Sequence, residues 1–352
     1  MPGKSEVAAR KIKSMILSGK FPTDSRLPSE RALAKILKSS QGTVTKATTL
    51  LEADGFIKKR HGSGNYVLKS SHPANICFLV EKLNDKLNPV WFQAYESFYL
   101  AASGSPVETH AAIVLPNETE LGLNFPRVPD VIVAGLSLNP ERVEKLLSCG
   151  CPVVWLEQYS EKLPGTTICF DNFAAGEMAA KHLLDQGCRK IMYFTSIFKE
   201  RAHYPSSVRF EGLLRGIALY GSPDCSVSSY ALNADSEMML MELGDVLRTV
   251  DGVFAFSDKY STYVGRAAHL ARIRIPEDLA LIGVDGLPMC ELFNPPLSTL
   301  SQHPERLGAK AFDSVMEILA GREADNRIVL QPELVIRESS RKPSASESKE
   351  AG

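Results

Sequence analysis

No apolar run in the 352-residue chain approaches the ~20 residues of a membrane span. Met1-Pro-Gly-Lys-Ser-Glu leads into a charged helical pattern without the apolar core of a signal peptide, so a cytoplasmic protein with no membrane partner is expected. Cysteine is sparse. The seven cysteines, an odd number, sit mostly in apolar runs such as Ile76-Cys-Phe-Leu-Val80 and Ile168-Cys-Phe170, the pattern of buried reduced thiols. Cys149-Gly-Cys151 is the one close pair, and it lacks the Cys-x-x-Cys spacing and the second pair of a zinc site. No metal and no cofactor is expected. Catalytic constellations are missing as well: there is no phosphate loop, no Gly-x-Gly-x-x-Gly at the start of a βαβ unit and no His-Glu-x-x-His. Gly135-Leu-Ser-Leu-Asn139 departs from the nucleophile elbow, so the chain does not read as an enzyme.

Net charge is also nearly absent, at −1, but only in total. Residues 1–70 hold fourteen Lys and Arg against five Asp and Glu, a net of +9; the other 282 hold 26 against 36, a net of −10. Such segregation points to a first module that binds a polyanion and a second with another task. The length suits two or three cores.

In the basic module, Ala9, Ile12, Met15, Ile16 and Leu17 fall near helical spacing, and Gly19 with Phe21-Pro22 ends that helix. Pro28-Ser29 opens a second helix at Glu30, with the Ser hydroxyl as cap and Glu30 at the positive end. A third helix, Gly42 to Asp54, places Val44, Ala47, Leu50 and Leu51 on one face and leaves Gln41, Thr43, Thr45 and Lys46 on the other. Ile57-Lys-Lys-Arg60 and Asn65-Tyr-Val-Leu68 form a hairpin through His61-Gly-Ser-Gly64, a tip through which backbone can approach phosphate. Two short helices followed by such a hairpin read as a helix-turn-helix with a wing.

With Arg26-Leu-Pro-Ser-Glu-Arg31 and the Gly-Ser-Gly tip, residues 5–68 resemble the winged helix-turn-helix of GntR-family transcription regulators. The resemblance implies DNA contacts from Arg26, Gln41, Thr43, Thr45, Lys46, His61, Gly62 and Gly64; Ser29, Arg31, Lys58 and Arg60 complete the candidate set. The family usually has Arg where Gln41 and Thr45 stand. Arg favours guanine and Gln can pair with adenine, so an operator that departs from the family's usual half-site is expected.

Beyond a polar linker at residues 71–75, apolar strands alternate with helices, beginning with the strand Ile76 to Val80 and continuing to Leu279–Ile282. This alternation predicts parallel sheets covered by helices, here in two lobes, with a ligand in the crevice between them at the carboxyl ends of the strands. Asp171-Asn172, Gly187-Cys-Arg-Lys-Ile191, Ser207-Val-Arg209, Ala255-Phe-Ser-Asp258, Ile275-Pro-Glu-Asp-Leu-Ala-Leu-Ile-Gly-Val-Asp285 and Pro295-Pro-Leu-Ser-Thr-Leu-Ser-Gln302 are similar in order and spacing to LacI-family sensor domains, themselves similar to periplasmic sugar-binding proteins. The combination resembles bacterial regulators of the arabinose-repressor type.

That resemblance implies an α/β fold of an N-terminal winged helix-turn-helix and a two-lobed periplasmic-binding-protein-like sensor. It assigns Arg209, Asp258, Asp285 and Gln302 to the effector, with Asn88 and Trp91 as weaker candidates, while Ser257 and Gly286 replace the usual Asn and second Asp. Arg and Asp can bracket adjacent sugar hydroxyls, and an aromatic ring can cover an apolar face. The expected domains are the head at 1–70, the sensor at 76–338 with lobe crossovers near 170 and 300–325, and a disordered tail at 339–352. The function expected is a transcription repressor, working as a homodimer on palindromic operator DNA and controlled by a sugar. A nucleoside sensor, or a carbohydrate-active enzyme tethered to nucleic acid, is the alternative.

Overall fold

The computed structural model describes residues 3–17, 20–60, 62–68, 73–83, 86–105, 107–115, 129–137, 139–156, 163–195, 205–232, 237–320, 322 and 324–341. The chain folds as two units, Met1–Cys169 with Pro304–Ile328 and Phe170–His303 with Val329–Gly352, and passes from one to the other after residues 169, 303 and 328.

The head lies in the first unit and consists of α1 (Lys4–Leu17), α2 (Glu30–Ile36), α3 (Gln41–Ala53) and the hairpin β1 (Ile57–Arg60) with β2 (Gly64–Val67). Caps set where its helices begin. The Ser29 hydroxyl accepts from Ala32 N (3.2 Å) at α2, and the Ser40 hydroxyl from Thr43 N (3.1 Å) at α3. Ile12, Leu33, Val44, Ala47 and Leu51, repeating at helical spacing, close on Phe56, Ile57 and Val67. The wing therefore shares the head's core.

After the head come β3 (Ala74–Leu83), β4 (Lys86–Leu87), α4 (Pro89–Ala102), β5 (Val107–Val114), β6 (Val131–Gly135), α5 (Pro140–Ser148), β7 (Val153–Leu156) and β8 (Thr166–Phe170). A second series follows: α6 (Asn172–Asp185), β9 (Lys190–Thr195), α7 (Pro205–Tyr220), β10 (Ser226–Ala231), α8 (Glu237–Leu247), β11 (Gly252–Ala255), α9 (Asp258–Ala271) and β12 (Ala280–Asp285). The chain closes with α10 (Met289–Leu292), β13 (Ser298–Ser301), α11 (Pro304–Leu319), β14 (Arg327–Leu330), β15 (Glu333–Val335) and a 3-10 turn, Glu338–Ser340. One sheet runs β14-β8-β7-β6-β3-β4 with β5 also on β3; the other runs β10-β9-β11-β12-β13-β15. Their central pairs are parallel, β4 and β15 being antiparallel edges. All residues of β6, β7, β8, β11 and β12 are buried, as strands covered on both faces must be.

In the first unit, Arg142 and Glu81 form a buried ion pair (2.5 Å). Arg142 also donates to Ser137 O and Leu115 O, and Ser137 N donates to Glu81, so both charges are satisfied where burial would otherwise penalise them. In the second unit, α6 and α7 touch backbone to backbone. A Cβ on Gly176 would meet Arg209 O at 2.0 Å, and one on Gly212 would meet Phe173 O at 2.1 Å.

Three expectations need correction. β3 begins at Ala74: Asn75 N donates to the Asp130 carboxylate and its carbonyl accepts from Asp130 N, so residues 74–75 are strand; residues 71–72 lie outside the described part. Ser339 and Ser340, expected to open a disordered tail, are fully buried. The Ser339 hydroxyl donates to Leu281 O (2.7 Å) and accepts from Ser298 N, while that of Ser340 bonds Ser298 and His182, which anchors the turn to the sheet. Residues 342–352 are outside the described part. Finally, α11 is absent from the expected series, although Leu307, Ala311 and Val315 carry its four-residue spacing.

Gly176→Ala is expected to destabilise the protein by about 3 kcal/mol, because the backbone of α7 must move to admit a methyl group. Gly42→Ala, with nothing within 4 Å of the added carbon, should gain up to about 1 kcal/mol through helix propensity. Urea unfolding measures both.

Candidate functional sites

On the head, Gln41, Thr45 and Lys46 of α3 are exposed, as are Arg26, Ser29 and Arg31 before and on α2 and Lys58 and Arg60 on the wing. The wing cluster is built around Tyr66. Arg26 pairs with Tyr66 as an isolated bridge, and the Arg60 guanidinium lies 4.5 Å from the Tyr66 ring centroid. Gly64, at φ +104, packs under the Arg26 side chain so closely that a Cβ would meet Nε at 2.9 Å. Gly62 also has positive φ, and His61 lies outside the described residues.

Two candidates are already engaged within the head. Thr43 shares its hydroxyl with Ser40 (2.7 Å), and Thr45 donates to Glu30 (2.6 Å). Thr48 donates to the other Glu30 oxygen (2.7 Å), so one carboxylate of α2 holds two hydroxyls of α3. Partial burial raises the Glu30 pKa, but the Thr45 and Thr48 hydrogen bonds, Lys59 and Asn65 outweigh it and hold the group below its ordinary 4.5. From the sequence Glu30 shows only a helix-end role; its clamp joins residues 15 and 18 positions apart, which periodicity does not reveal.

In the second unit, Arg209 is buried on α7. Its Nε donates to Asn172 Oδ1 (2.7 Å) and Nη1 to Phe256 O (2.6 Å), with the Phe256 ring centroid 4.9 Å from the guanidinium carbon. Phe256 directly follows β11. Asp285 ends β12, and Gln302 directly follows β13; Gln302 Nε2 donates to Asp285 Oδ1 (2.6 Å). Gln302 Oε1 is buried with no hydrogen-bond partner among the described residues. Asp285 is held at φ +129, a conformation that side-chain-bearing residues rarely adopt and that collects at binding sites. Arg209, Asp285 and Gln302 thus mark the carboxyl ends of three neighbouring parallel strands.

Asp258 is placed differently. It is fully buried, accepts from Thr299 Oγ1 (2.6 Å) and from Leu287 N (2.9 Å), and burial raises its pKa against the pull of those bonds. In the first unit, Asn88 caps α4 by accepting from Val90 N (3.0 Å), and Trp91 is core, its ring 3.4 Å from where a Cβ on Gly135 would stand. Asn172 and the Phe256 carbonyl, which the sequence reading does not place beside Arg209, orient its guanidinium. No disulfide joins the seven cysteines, and no described helix is long and apolar enough to cross a membrane.

Residues 4–67 match the family model for bacterial regulatory proteins of the gntR family, and residues 180–340 match that for the periplasmic binding protein-like domain. The chain joins a gntR-family head to a periplasmic-binding-protein-like domain. The ribose operon repressor of Halalkalibacterium halodurans is 29% identical over 192 residues, 54% of this chain and 56% of that protein. The HTH-type transcriptional regulator DegA of Bacillus subtilis is 30% identical over 204 residues, 56% of this chain and 58% of that one. The chain therefore spans less than two thirds of these relatives. A LacI family transcriptional regulator from Enterococcus faecium with bound ribose shares the fold at TM-score 0.65 and 22% identity, over 77% of this chain and 100% of that one.

Because folding holds the Glu30 pKa below its unfolded value, the clamp's stability is present above the unfolded pKa and is lost as pH falls through the folded one. The gntR-type head should therefore loosen below about pH 4.5, and Glu30→Gln should remove that part of the acid dependence. Hydrogen exchange of α2 and α3 amides against pH reads both effects.

Proposed function

We propose that the protein is a transcription repressor whose head reads operator DNA and whose second lobe binds a small polyhydroxylated effector, most simply a sugar, at the strand ends marked by Arg209, Asp285 and Gln302. The observation that carries the effector reading is the Asp285–Gln302 pair, which leaves the Gln302 carbonyl buried and unpartnered beside a carboxylate. A sugar hydroxyl can donate to that carbonyl, a second can donate to Asp285, and Arg209 offers guanidinium donors along one edge. The Phe256 ring can cover an apolar sugar face. The ribose repressor and the ribose-bound regulator among the relatives support a pentose as the first ligand to try.

On the head, Lys46 and Lys58 supply phosphate contacts, Gln41 reads a base edge, and Arg26 and Arg60 sit with the wing, where glycine backbone can approach the duplex. The recognition helix reads one half-site, so two copies on a palindromic operator form the working species, and the site of action is the cytoplasm. Effector and operator are coupled to the extent that the effector binds one conformation more tightly than the other. Binding without turnover is the reading, since the strand-end set offers one carboxylate where glycoside hydrolysis uses a pair.

A thermal-shift screen of pentoses, hexoses and nucleosides tests the reading. The true effector at a hundredfold excess over Kd should stabilise the protein by about 2.7 kcal/mol. Asp285→Ala and Arg209→Ala should abolish the shift and leave operator affinity intact; an unchanged shift, or a sugar converted to product, refutes the assignment. For the head, Lys46→Ala and Lys58→Ala should each weaken binding to all sequences and flatten the salt dependence by roughly one unit of slope. Gln41→Arg should move the selected operator towards guanine, and an unaltered selected site would remove Gln41 from base reading.

A further inference from the structure

Within the first unit, α1 of the head and the first lobe enclose a cavity of about 470 Å³, within the size range of small-molecule sites. Met15, Leu147 and Ile318 give it an apolar lining, and Arg10, Lys11 and Asp130 bring charge to it. Asp130 is already occupied: Lys13 Nζ lies 2.5 Å from one of its oxygens, with both side chains only 9% exposed, and Asn75 N donates to the other. Arg10 is different. Its Nη1 is buried and has no hydrogen-bond partner among the described residues, a state that costs on the order of 1–3 kcal/mol. Cys149 and Cys151 stand near Arg10, but burial outweighs its pull and holds both thiols above their ordinary range, Cys151 at about 12, so neither offers it an anion at neutral pH. The cavity therefore combines an apolar wall, an excess of positive charge and an unsatisfied guanidinium donor.

We propose that this cavity is a second ligand site, which takes a small amphipathic monoanion: a carboxylate on an aliphatic or aromatic body, with the carboxylate on Arg10 and the body against Met15, Leu147 and Ile318. The charge-assisted bond fits the buried Arg10 donor that lacks a partner among the described residues, and the apolar body displaces water from a wall that cannot hydrogen-bond it. Because the ligand touches both α1 and the lobe, it binds the docked arrangement of head and lobe more tightly than an undocked one and shifts the population towards it. The site shares no residue with the strand-end set of the second lobe.

Isothermal titration of the full chain with hexanoate and with neutral hexanamide tests this. Wild-type protein should bind hexanoate saturably and at least about tenfold more tightly than hexanamide, the preference expected of one charge-assisted bond. Arg10→Leu should erase that preference while still binding a DNA fragment selected by the wild type, and Leu147→Trp, which fills the cavity from the lobe side, should remove binding of both probes. Asp285→Asn should retain hexanoate binding. The proposal is overturned by equal affinity of the wild type for the two probes, by a preference for hexanoate that survives Arg10→Leu, by binding of either probe that survives Leu147→Trp, or by no saturable binding of either hexanoate or benzoate. Loss of hexanoate in Asp285→Asn alone would place the probe at the strand ends and equally overturn it.

Discussion

The backbone contact between α6 and α7 is the constraint on which the second lobe's site depends. Gly176 sits directly against the carbonyl of Arg209, and Gly212 against that of Phe173, so the two helices lie closer than any pair with side chains at those points could. That approach puts Asn172, the first residue of α6, within reach of the Arg209 side chain, and the same guanidinium continues to the Phe256 carbonyl beyond β11. A buried cation is costly unless its donors are taken. Here one side chain ties a helix start, a second helix and a strand end together, and the chemistry proposed for the site inherits its geometry from that tie.

The head is organised on the same principle with weaker parts. Glu30 on α2 gathers the Thr45 and Thr48 hydroxyls of α3, and Lys59 of the wing donates to Thr49 on the same helix. The positions expected to meet DNA are thus of two kinds. Gln41, Lys46 and Lys58 are exposed and uncommitted in the described contacts, while Thr45, exposed on α3, gives its hydroxyl proton to Glu30. A residue held that way can still accept a hydrogen bond, which makes it a different reader from the arginine usual in gntR-type heads.

Most helices and strands were legible in the sequence because their signals are local: four-residue apolar spacing in α1 and α3, unbroken apolar runs in β6 and β12, the capping serine before α2. The pairing of Asp285 with Gln302 was legible as two positions of one motif series, though not as a hydrogen bond. What escaped depends on partners far along the chain. Arg142, which no local pattern marks as internal, is buried because Glu81, 61 positions earlier, meets it. Ser339 and Ser340 looked like the start of a polar tail, yet their hydroxyls satisfy groups of β12, β13 and α6 inside the lobe. Composition marks such residues as polar and cannot say that a polar group awaits them.

The two departures from the LacI-type motifs have local explanations that bear on the proposed effector site. Ser257 keeps the capping role at α9, accepting from Tyr260 N, but its side chain is shorter than the usual Asn and extends less far from the strand end. Gly286 has φ +78, and a Cβ there would meet the Ser301 hydroxyl at 2.5 Å, so the second Asp of the motif could not stand there unless Ser301 moved. Asp258, next to Ser257, is turned inward to Thr299 and Leu287 and adds nothing to replace it. The acceptors left at the strand ends are Asp285 and the Gln302 carbonyl, side by side. On the proposed reading, recognition rests on two adjacent hydroxyls and one ring face, a smaller pattern than a full set of acceptors would read, and discrimination among sugars falls to the shape of the walls around Phe256 and Arg209.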